Sequence, residues 1–433
     1  MTYKEAREFI DASNQYGSKL GLEAVTGLLN RLDNPQDRLR VIHVAGTNGK
    51  GSTAAFISSI LASEGYLVGR YISPAVFSYR ERIQVNRGTG EAITSDYITE
   101  EGVAKAIEQV KPVCESMAAE GIAHPTSFEI ETAMAFLYLE RMQVDFAVIE
   151  VGLGGRLDAT NAVKKPEVSV ITSISMDHMQ YLGSTLAQIA FQKAGIIKKG
   201  VPVVTCNHNP EILDVIREEA EKLDAGLFVT SQDITDIRFT IEGTGFNYGK
   251  QHYKIELLGE YQVMNAVLAV ETAEVLRGRG CSISSSSIKN GLLRAKWSGR
   301  FEIISRKPYF IIDGAHNEDA AVLLRNSLQQ YFPGRSFIFI MGVLADKEYK
   351  KILNLLAPLA SVLITVTPDN SRALVSSRLA SEAGRYTEAE IIDAADIPGA
   401  LKTAYERASI EDVIVAFGSL SYLGELVQCF THK

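Results

Sequence analysis

The sequence predicts an α/β protein built from two consecutive units, and three observations carry that prediction. Short apolar runs alternate with stretches patterned as amphipathic helices; a glycine-rich turn follows the first run and opens a helix; and the alternation restarts near residue 297. Strand, helix, strand in succession gives parallel, doubly wound sheets with helices on both faces.

The elements follow in order. Arg40–Ala45 (RVIHVA) reads as a strand, Gly46–Ser52 as a glycine-rich turn and Thr53–Glu64 as a helix. Leu67–Ile72 is a second strand, and Phe128–Arg141 carries apolar residues at helical spacing. Asp145–Val151 and Val168–Ile174 are continuous apolar runs, as strands covered on both faces must be. Phe239–Tyr253 alternates and contains turn residues, which predicts a small antiparallel hairpin. Tyr261–Arg277 returns to helix, and the serine run Ser284–Ser287 reads as a loop or helix start. After Trp297–Arg300, strand-like Tyr309–Asp313, Ser336–Met341, Val362–Val366 and Val413–Phe417 are separated by helix-like stretches such as Glu318–Tyr331 and Lys347–Leu359. This second, smaller unit is expected to be a Rossmann-like α/β domain. The division is placed at residues 1–296 and 297–433.

Composition narrows the function. A chain of 433 residues exceeds the roughly 250–300 at which single cores stop growing. Hydrophobic residues at 46% supply the material for such cores. The net charge of -8 gives no general basic surface, so nucleic acid and anionic membrane are not expected partners. Any phosphate site must be local. Cys114, Cys206, Cys281 and Cys429 form no CxxC pair, which speaks against structural zinc or a disulfide framework and for a reducing compartment. The N-terminal MTYKEAREFIDAS has no apolar core of a signal peptide, and no apolar run reaches the roughly 18 residues of a membrane span. A cytoplasmic location is expected.

The strongest motif is Gly46-Thr47-Asn48-Gly49-Lys50-Gly51-Ser52-Thr53, between a strand and a helix. Glycines let backbone N–H groups wrap phosphate oxygens, and a helix N-terminus favours anions. Lys50 can reach the outer phosphates of a bound nucleotide, and the hydroxyl of Ser52 or Thr53 can face Mg²⁺. The string departs from GxxxxGK[ST], because Gly51 stands between lysine and serine. Glu150 ends an apolar strand, where α/β folds place ligand groups. Gly152-Leu153-Gly154-Gly155-Arg156-Leu157 half-matches a dinucleotide loop, but Leu157 replaces the third glycine, which argues against a nicotinamide site.

With GTNGKGS go Tyr71-Ile72-Ser73-Pro74, Glu81-Arg82-Ile83, Thr126-Ser127-Phe128-Glu129, the run Glu150–Asn161, Asp177-His178, Lys193-Ala194-Gly195-Ile196, Gln262 with Asn265, and Asp313-Gly314-Ala315-His316-Asn317. This ordered set resembles the folylpolyglutamate synthase branch of the Mur ligase superfamily along nearly the whole chain. The resemblance implies an ATP-binding central domain in residues 1–296 and a glutamate-ligase domain in 297–433. It implies a ligase that adds L-glutamate to the γ-carboxylate of tetrahydrofolate through an acyl phosphate. A dihydrofolate synthase acting on dihydropteroate, alone or as a second activity, is the sister reading; a Mur-type ligase with another substrate and a P-loop switch or motor are the alternatives.

The same resemblance implies site residues. Two Mg²⁺ ions would be held by Ser52, Ser73, Glu150 and His178; His178 taken alone reads as a structural histidine. Lys193 would be carbamylated by CO₂, whereas without the resemblance it reads as a helix lysine. Lys50, Lys193 and His316 would be catalytic, although His316 reads equally as an interdomain hydrogen-bonding group. Gly46–Thr53, Asn265, Arg300 and Asp313 would contact the nucleotide. Thr126, Phe128 and Asp158 would line a pterin pocket, with Phe128 reading equally as core packing. Ala75 stands where the family often has His after Ser-Pro, which puts the substrate preference of that loop in question. A monomer is expected, as for large ligases of this pattern.

Overall fold

The central strands form where short runs, mostly apolar, are buried at every position. The structure, a computed structural model, describes residues 1–17, 21–89 and 92–431. Its first sheet comprises β1 (Val41–Ala45), β2 (Val68–Tyr71), β3 (Ile83–Thr89), β4 (Ala92–Tyr97), β5 (Phe146–Glu150), β6 (Val168–Ile171), β7 (Val203–Thr205) and β8 (Leu227–Val229). Their spatial order is β4-β3-β2-β5-β1-β6-β7-β8. From β2 to β8 all pairs are parallel, while β3 and β4 form an antiparallel edge. The doubly wound sheet matches expectation. The antiparallel edge and the short strands β7 and β8 do not announce themselves in the sequence, because β4 and β8 carry few buried positions.

β1 sits at the centre, buried at all five positions. Ile42 and Val44 join a core with Phe56, Ile57 and Ile60 of the helix Lys50–Glu64 and with the helix Tyr261–Gly278. Val41 joins the opposite core with Ile130, Met134 and Phe136 of the helix Ser127–Arg141. Period-two alternation along the strand thus anchors helices on both faces.

The expected hairpin is a three-stranded antiparallel sheet: β9 (Ile234–Thr240), β10 (Gly243–Tyr248) and β11 (Gln251–Ile255), in order β11-β10-β9. Its Phe246, Tyr253 and Ile255 pack into the first core. Ser284 caps the helix Ser285–Arg294, so the serine run is a helix start.

The third sheet holds β12 (Glu302–Arg306), β13 (Tyr309–Ile312), β14 (Phe337–Met341), β15 (Ala360–Val366), β16 (Glu390–Ala395) and β17 (Val413–Phe417), in order β12-β13-β17-β14-β15-β16. Only β12 runs antiparallel to its neighbour. Helices Glu318–Tyr331, Tyr349–Leu356 and Ser376–Ala383 cover one face; Ile397–Arg407 and Leu420–Thr431 cover the other. Among the described residues no helix is long and apolar enough to cross a membrane.

An ion pair ties the loop after β2 to the helix Ser127–Arg141. Arg82 Nη1 lies 2.7 Å from Glu131 Oε2, and the Glu131 side chain is only 8% exposed. Arg82→Met leaves that carboxylate unpaired and should lower the unfolding free energy by about 3 kcal/mol. The measurement is the urea midpoint, and Arg82→Met with Glu131→Leu should recover most of the loss.

Candidate active site

The C-terminal ends of β1, β5, β13 and β17 open on one cleft, where α/β folds bind ligands. It encloses about 430 Å³ between the two units. Gly46 to Ser52, Ser73, Glu150, His178 and Lys193 line one side; Arg300, Asp313, His316, Lys347 and Ser419 line the other.

The phosphate loop is tighter than the sequence suggests, since the helix begins at Lys50 and not at Thr53. Gly49 makes this possible. At φ 86° it turns the chain from strand into helix, and no side chain caps the first turn. The N–H groups at that end therefore remain available to an anion. The loop is braced from β6: Thr47 N donates to the Ser173 carbonyl at 2.8 Å, and Thr172 Oγ1 donates to the Asn48 carbonyl at 2.7 Å. Gln262 Nε2 donates to Ser52 Oγ at 3.2 Å, and Asn265 Nδ2 donates to Gln262 Oε1 at 3.0 Å. Asn265 thus acts from behind the loop, beside Gly49, and is absent from the cleft wall. Thr53 is likewise fully buried behind it.

Gly51 has a separate reason. A Cβ there would lie 2.1 Å from a ring carbon of Trp297. The departure from the common phosphate-loop string is therefore a packing requirement, imposed by the single tryptophan of the chain.

Two lysines converge on one carbonyl. Lys50 Nζ donates to the Gly46 and Thr47 carbonyls, each at 3.0 Å, and Lys193 Nζ donates to Gly46 at 2.7 Å. Burial pulls both amines below their ordinary pKa, Lys193 strongly, and the Lys50 charge adds to the effect on Lys193. Opposite them Glu150 is 5% exposed. Burial raises its carboxyl to about 7 against the pull of Lys50 and Arg300. Its Oε2 is buried without a hydrogen-bond partner.

That orphaned oxygen tests the fit to Mg²⁺. A buried carboxylate oxygen with no donor is costly unless a cation meets it. Ser73 bonds to this carboxylate through its main chain, and Ser52 stands on the same cleft wall. Hydroxyl and carboxylate oxygens with room for water and phosphate suit Mg²⁺. Among the described residues no group of three His, Cys, Asp or Glu side chains could cage an ion alone. His178 sits at φ 50° with its side chain 41% exposed, and its Nε2 is 3.8 Å from Asp177 Oδ2.

Asp177 joins the two units. It accepts from Lys347 Nζ at 3.3 Å and from Asn317 Nδ2 at 3.2 Å. Burial alone would raise its carboxyl, but Lys347, His178 and His316 outweigh burial and hold it below the usual range. His316 Nδ1 lies 2.8 Å from the Gly314 carbonyl, so Nδ1 carries the proton and Nε2 keeps a lone pair. Burial, with the Lys347 charge, lowers its pKa to about 4. Asp313 is 4% exposed and accepts the Phe301 and Ala315 N–H groups, both at 2.8 Å. It braces the turn that carries Arg300 and His316. Arg300 Nη1 donates to the Gly299 carbonyl at 3.2 Å.

Thr126, Phe128 and Asp158 have local roles and do not appear on the cleft wall. Thr126 forms a capping box with Glu129. Phe128 stacks on Tyr71 at 6.3 Å and lies against Gly152, which does line the cleft. Asp158 Oδ2 accepts the Leu153 N–H at 2.8 Å. Ala75 lines the cleft. Sequence reasoning missed Lys347, Trp297 and Tyr261 on the wall. Lys347 follows the C-terminal end of β14, a position that itself marks candidates in such sheets.

Residues 44–273 match the Mur ligase middle domain, and residues 299–420 match the Mur ligase glutamate ligase domain. The chain is 37% identical to the dihydrofolate synthase/folylpolyglutamate synthase of Bacillus subtilis over 98% of both chains. It superposes on the folylpolyglutamate synthase of Thermotoga maritima with a TM-score of 0.84 at 35% identity, covering 100% of this chain and 97% of that one. The Mycobacterium tuberculosis folylpolyglutamate synthase, solved with ADP and AMPPCP, gives 0.87 at 29% identity, covering 98% and 97%.

Gly51→Ala must displace either Trp297 or the start of the helix. Nucleotide binding by calorimetry should weaken by about tenfold or more, since small misplacements at a phosphate site are expensive. Far-ultraviolet circular dichroism should stay unchanged.

Proposed function

The chain belongs to the folylpolyglutamate synthase/dihydrofolate synthase family of Mur ligases, and we propose that it joins L-glutamate to the γ-carboxylate of tetrahydrofolate through an acyl phosphate. It is an ATP-dependent, amide-forming ligase. The observation that carries the substrate reading is the cleft between the units, in which the open helix end, Lys50 and Glu150 face His316 of the second unit. The double name of the Bacillus subtilis relative supports dihydropteroate as a second acceptor.

The folate carboxylate attacks the γ-phosphorus of ATP, and ADP leaves. The glutamate amine then attacks the acyl carbon, phosphate departs, and the amine gives up a proton. The N–H groups of Gly49, Lys50 and Gly51, with the Lys50 ammonium, meet charge on the transferred phosphoryl group. Arg300 adds a cation on the facing wall. The Nε2 lone pair of His316 is the acceptor for the amine proton, and its low pKa keeps it available at neutral pH. Asp313 holds the turn that presents it. Asn265 acts on the nucleotide through Gln262 and Gly49.

Ser52, Ser73, Glu150 and His178 would hold two Mg²⁺ ions, which when bound neutralise phosphate charge. Lys193 is a buried amine with a depressed pKa, the state in which an amine adds CO₂. Its carbamate would be an anion next to Lys50. Thr126, Phe128 and Asp158 would shape the pterin side from behind Gly152 and Leu153, with Ala75 across the cleft. Residues 1–296 are assigned to ATP binding and 297–433 to glutamate. This division is supported by the gap between β11, ending at Ile255, and β12, starting at Glu302. We assign the protein to the cytoplasm as a monomer acting on small molecules, with no nucleic acid partner.

Phosphate release should require ATP, Mg²⁺, glutamate and a pteroyl acceptor together, and ATP alone should give none. Lys50→Ala should lose about 100-fold or more in kcat. Chelation with EDTA should abolish turnover, and added Mg²⁺ should restore it. Turnover of ATP without a pteroyl acceptor would point to a switch or motor.

A further inference from the structure

A buried histidine ties the strand of the phosphate loop to the pocket wall. His43 is the middle residue of β1 and is fully buried. Its Nε2 lies 2.9 Å from Thr160 Oγ1, which lies 2.5 Å from Asp158 Oδ1. Asp158 Oδ1 also accepts the Thr160 N–H at 3.0 Å, and Oδ2 accepts the Leu153 N–H at 2.8 Å.

The proton order in this chain is determined. A carboxylate only accepts and a hydroxyl has one proton. Thr160 therefore donates to Asp158, and His43 donates Nε2–H to Thr160. The other ring nitrogen, Nδ1, is buried and has no partner, as this tautomer requires. Burial, with the Lys198 charge, lowers the imidazole pKa to about 3, so the ring is neutral. His43 is fully buried and pairs with Ile149 on β5, and keeping an orphaned polar atom in such a place is unfavourable. An apolar side chain would fill the space without that penalty, so the donor itself must serve a purpose.

The connectivity shows what it does. Val44, the next residue on β1, pairs with Glu150 on β5. Glu150 precedes Gly152 and Leu153, which line the cleft. The chain His43–Thr160–Asp158–Leu153 closes a loop from β1 back to the wall just beyond Glu150. Backbone bonds hold that wall at its two ends, at Val151, whose N–H donates to the Val44 carbonyl, and at Arg156 and Leu157, which pair with Gln192 and Gly21; between them the Leu153 N–H is held by Asp158 Oδ2. We propose that His43 is a positioning residue: through Thr160 and Asp158 it sets the loop 151–158, and with it the pteroyl side of the cleft, against the phosphate loop. The proposal rests on the reading that this wall meets the pteroyl acceptor.

The test uses the full chain with His43→Leu, His43→Gln, Thr160→Val and the double variant His43→Leu with Thr160→Val. Glutamine can present an N–H near the position of Nε2; leucine cannot. Amide exchange over 151–162 is followed in the protein without substrates, and KM is measured for tetrahydrofolate, ATP and glutamate. His43→Leu should speed exchange at Leu153 and raise KM for tetrahydrofolate, each by about tenfold, with KM for ATP within about twofold. His43→Gln should restore both, and the double variant should be no worse than the worse single. Unchanged exchange in His43→Leu, equal effects of Leu and Gln, or an equal rise in KM for ATP would overturn the proposal. If His43→Leu does not fold, Thr160→Val against His43→Gln makes the same comparison. If the wild type turns over no pteroyl acceptor, the substrate reading falls alone, and exchange at Leu153 still decides whether His43 holds the wall.

Discussion

The site depends on positive charge gathered where little water can screen it. Lys50 and Lys193 both bond to the Gly46 carbonyl, and an uncapped helix end points into the same space. Two ammonium groups on one acceptor would repel each other, and burial together with the Lys50 charge pulls the Lys193 amine well below its ordinary pKa. Glu150 offsets part of the lysine charge, but its own carboxyl is raised to about 7 and one oxygen lacks a donor. The arrangement is electrostatically incomplete in the protein alone. A polyphosphate meets the lysine charge and the open helix end, which makes nucleotide binding a relief of this imbalance as well as a gain of contacts.

That charge must be met by a second unit that closes over it. Trp297 lies against Gly51 at the junction of the units, and Asp177 reaches from the first unit to Lys347 and Asn317 of the second. One contact is steric and the other ionic. Together they bring His316 and Arg300 onto the cleft opposite the phosphate loop. A reactive acyl phosphate requires such a cover, since water would otherwise compete with the amine.

Much of this was legible in the chain. Strands buried on both faces are apolar at nearly every position, with His43 in β1 and Glu150 in β5 as the exceptions, so β1, β5, β14 and β17 stand out. Edge strands are not: β4 and β16 bury none of their side chains fully and carry no long apolar run. The glycine motif announced a phosphate site because Gly, Lys and Ser each have a chemical task there. The start of the helix was misplaced by three residues, because the left-handed turn at Gly49 is a backbone event with no further residue code.

Sequence by itself determined the fold class, the phosphate loop and the ordered motifs that mark a ligase, because those depend on local spacing and residue chemistry. Tertiary structure alone decided which motif residues reach the cleft. Asn265, Thr126 and Asp158 lie behind it, bonded to their own loops, while Lys347 and Trp297 arrive on it from segments that looked ordinary. The reason is distance: Asp177 and Lys347, or His43 and Thr160, are far apart along the chain. Packing of the second unit on the first brings the former pair within hydrogen-bond reach, and the layering of the loop after β5 on β1 brings the latter.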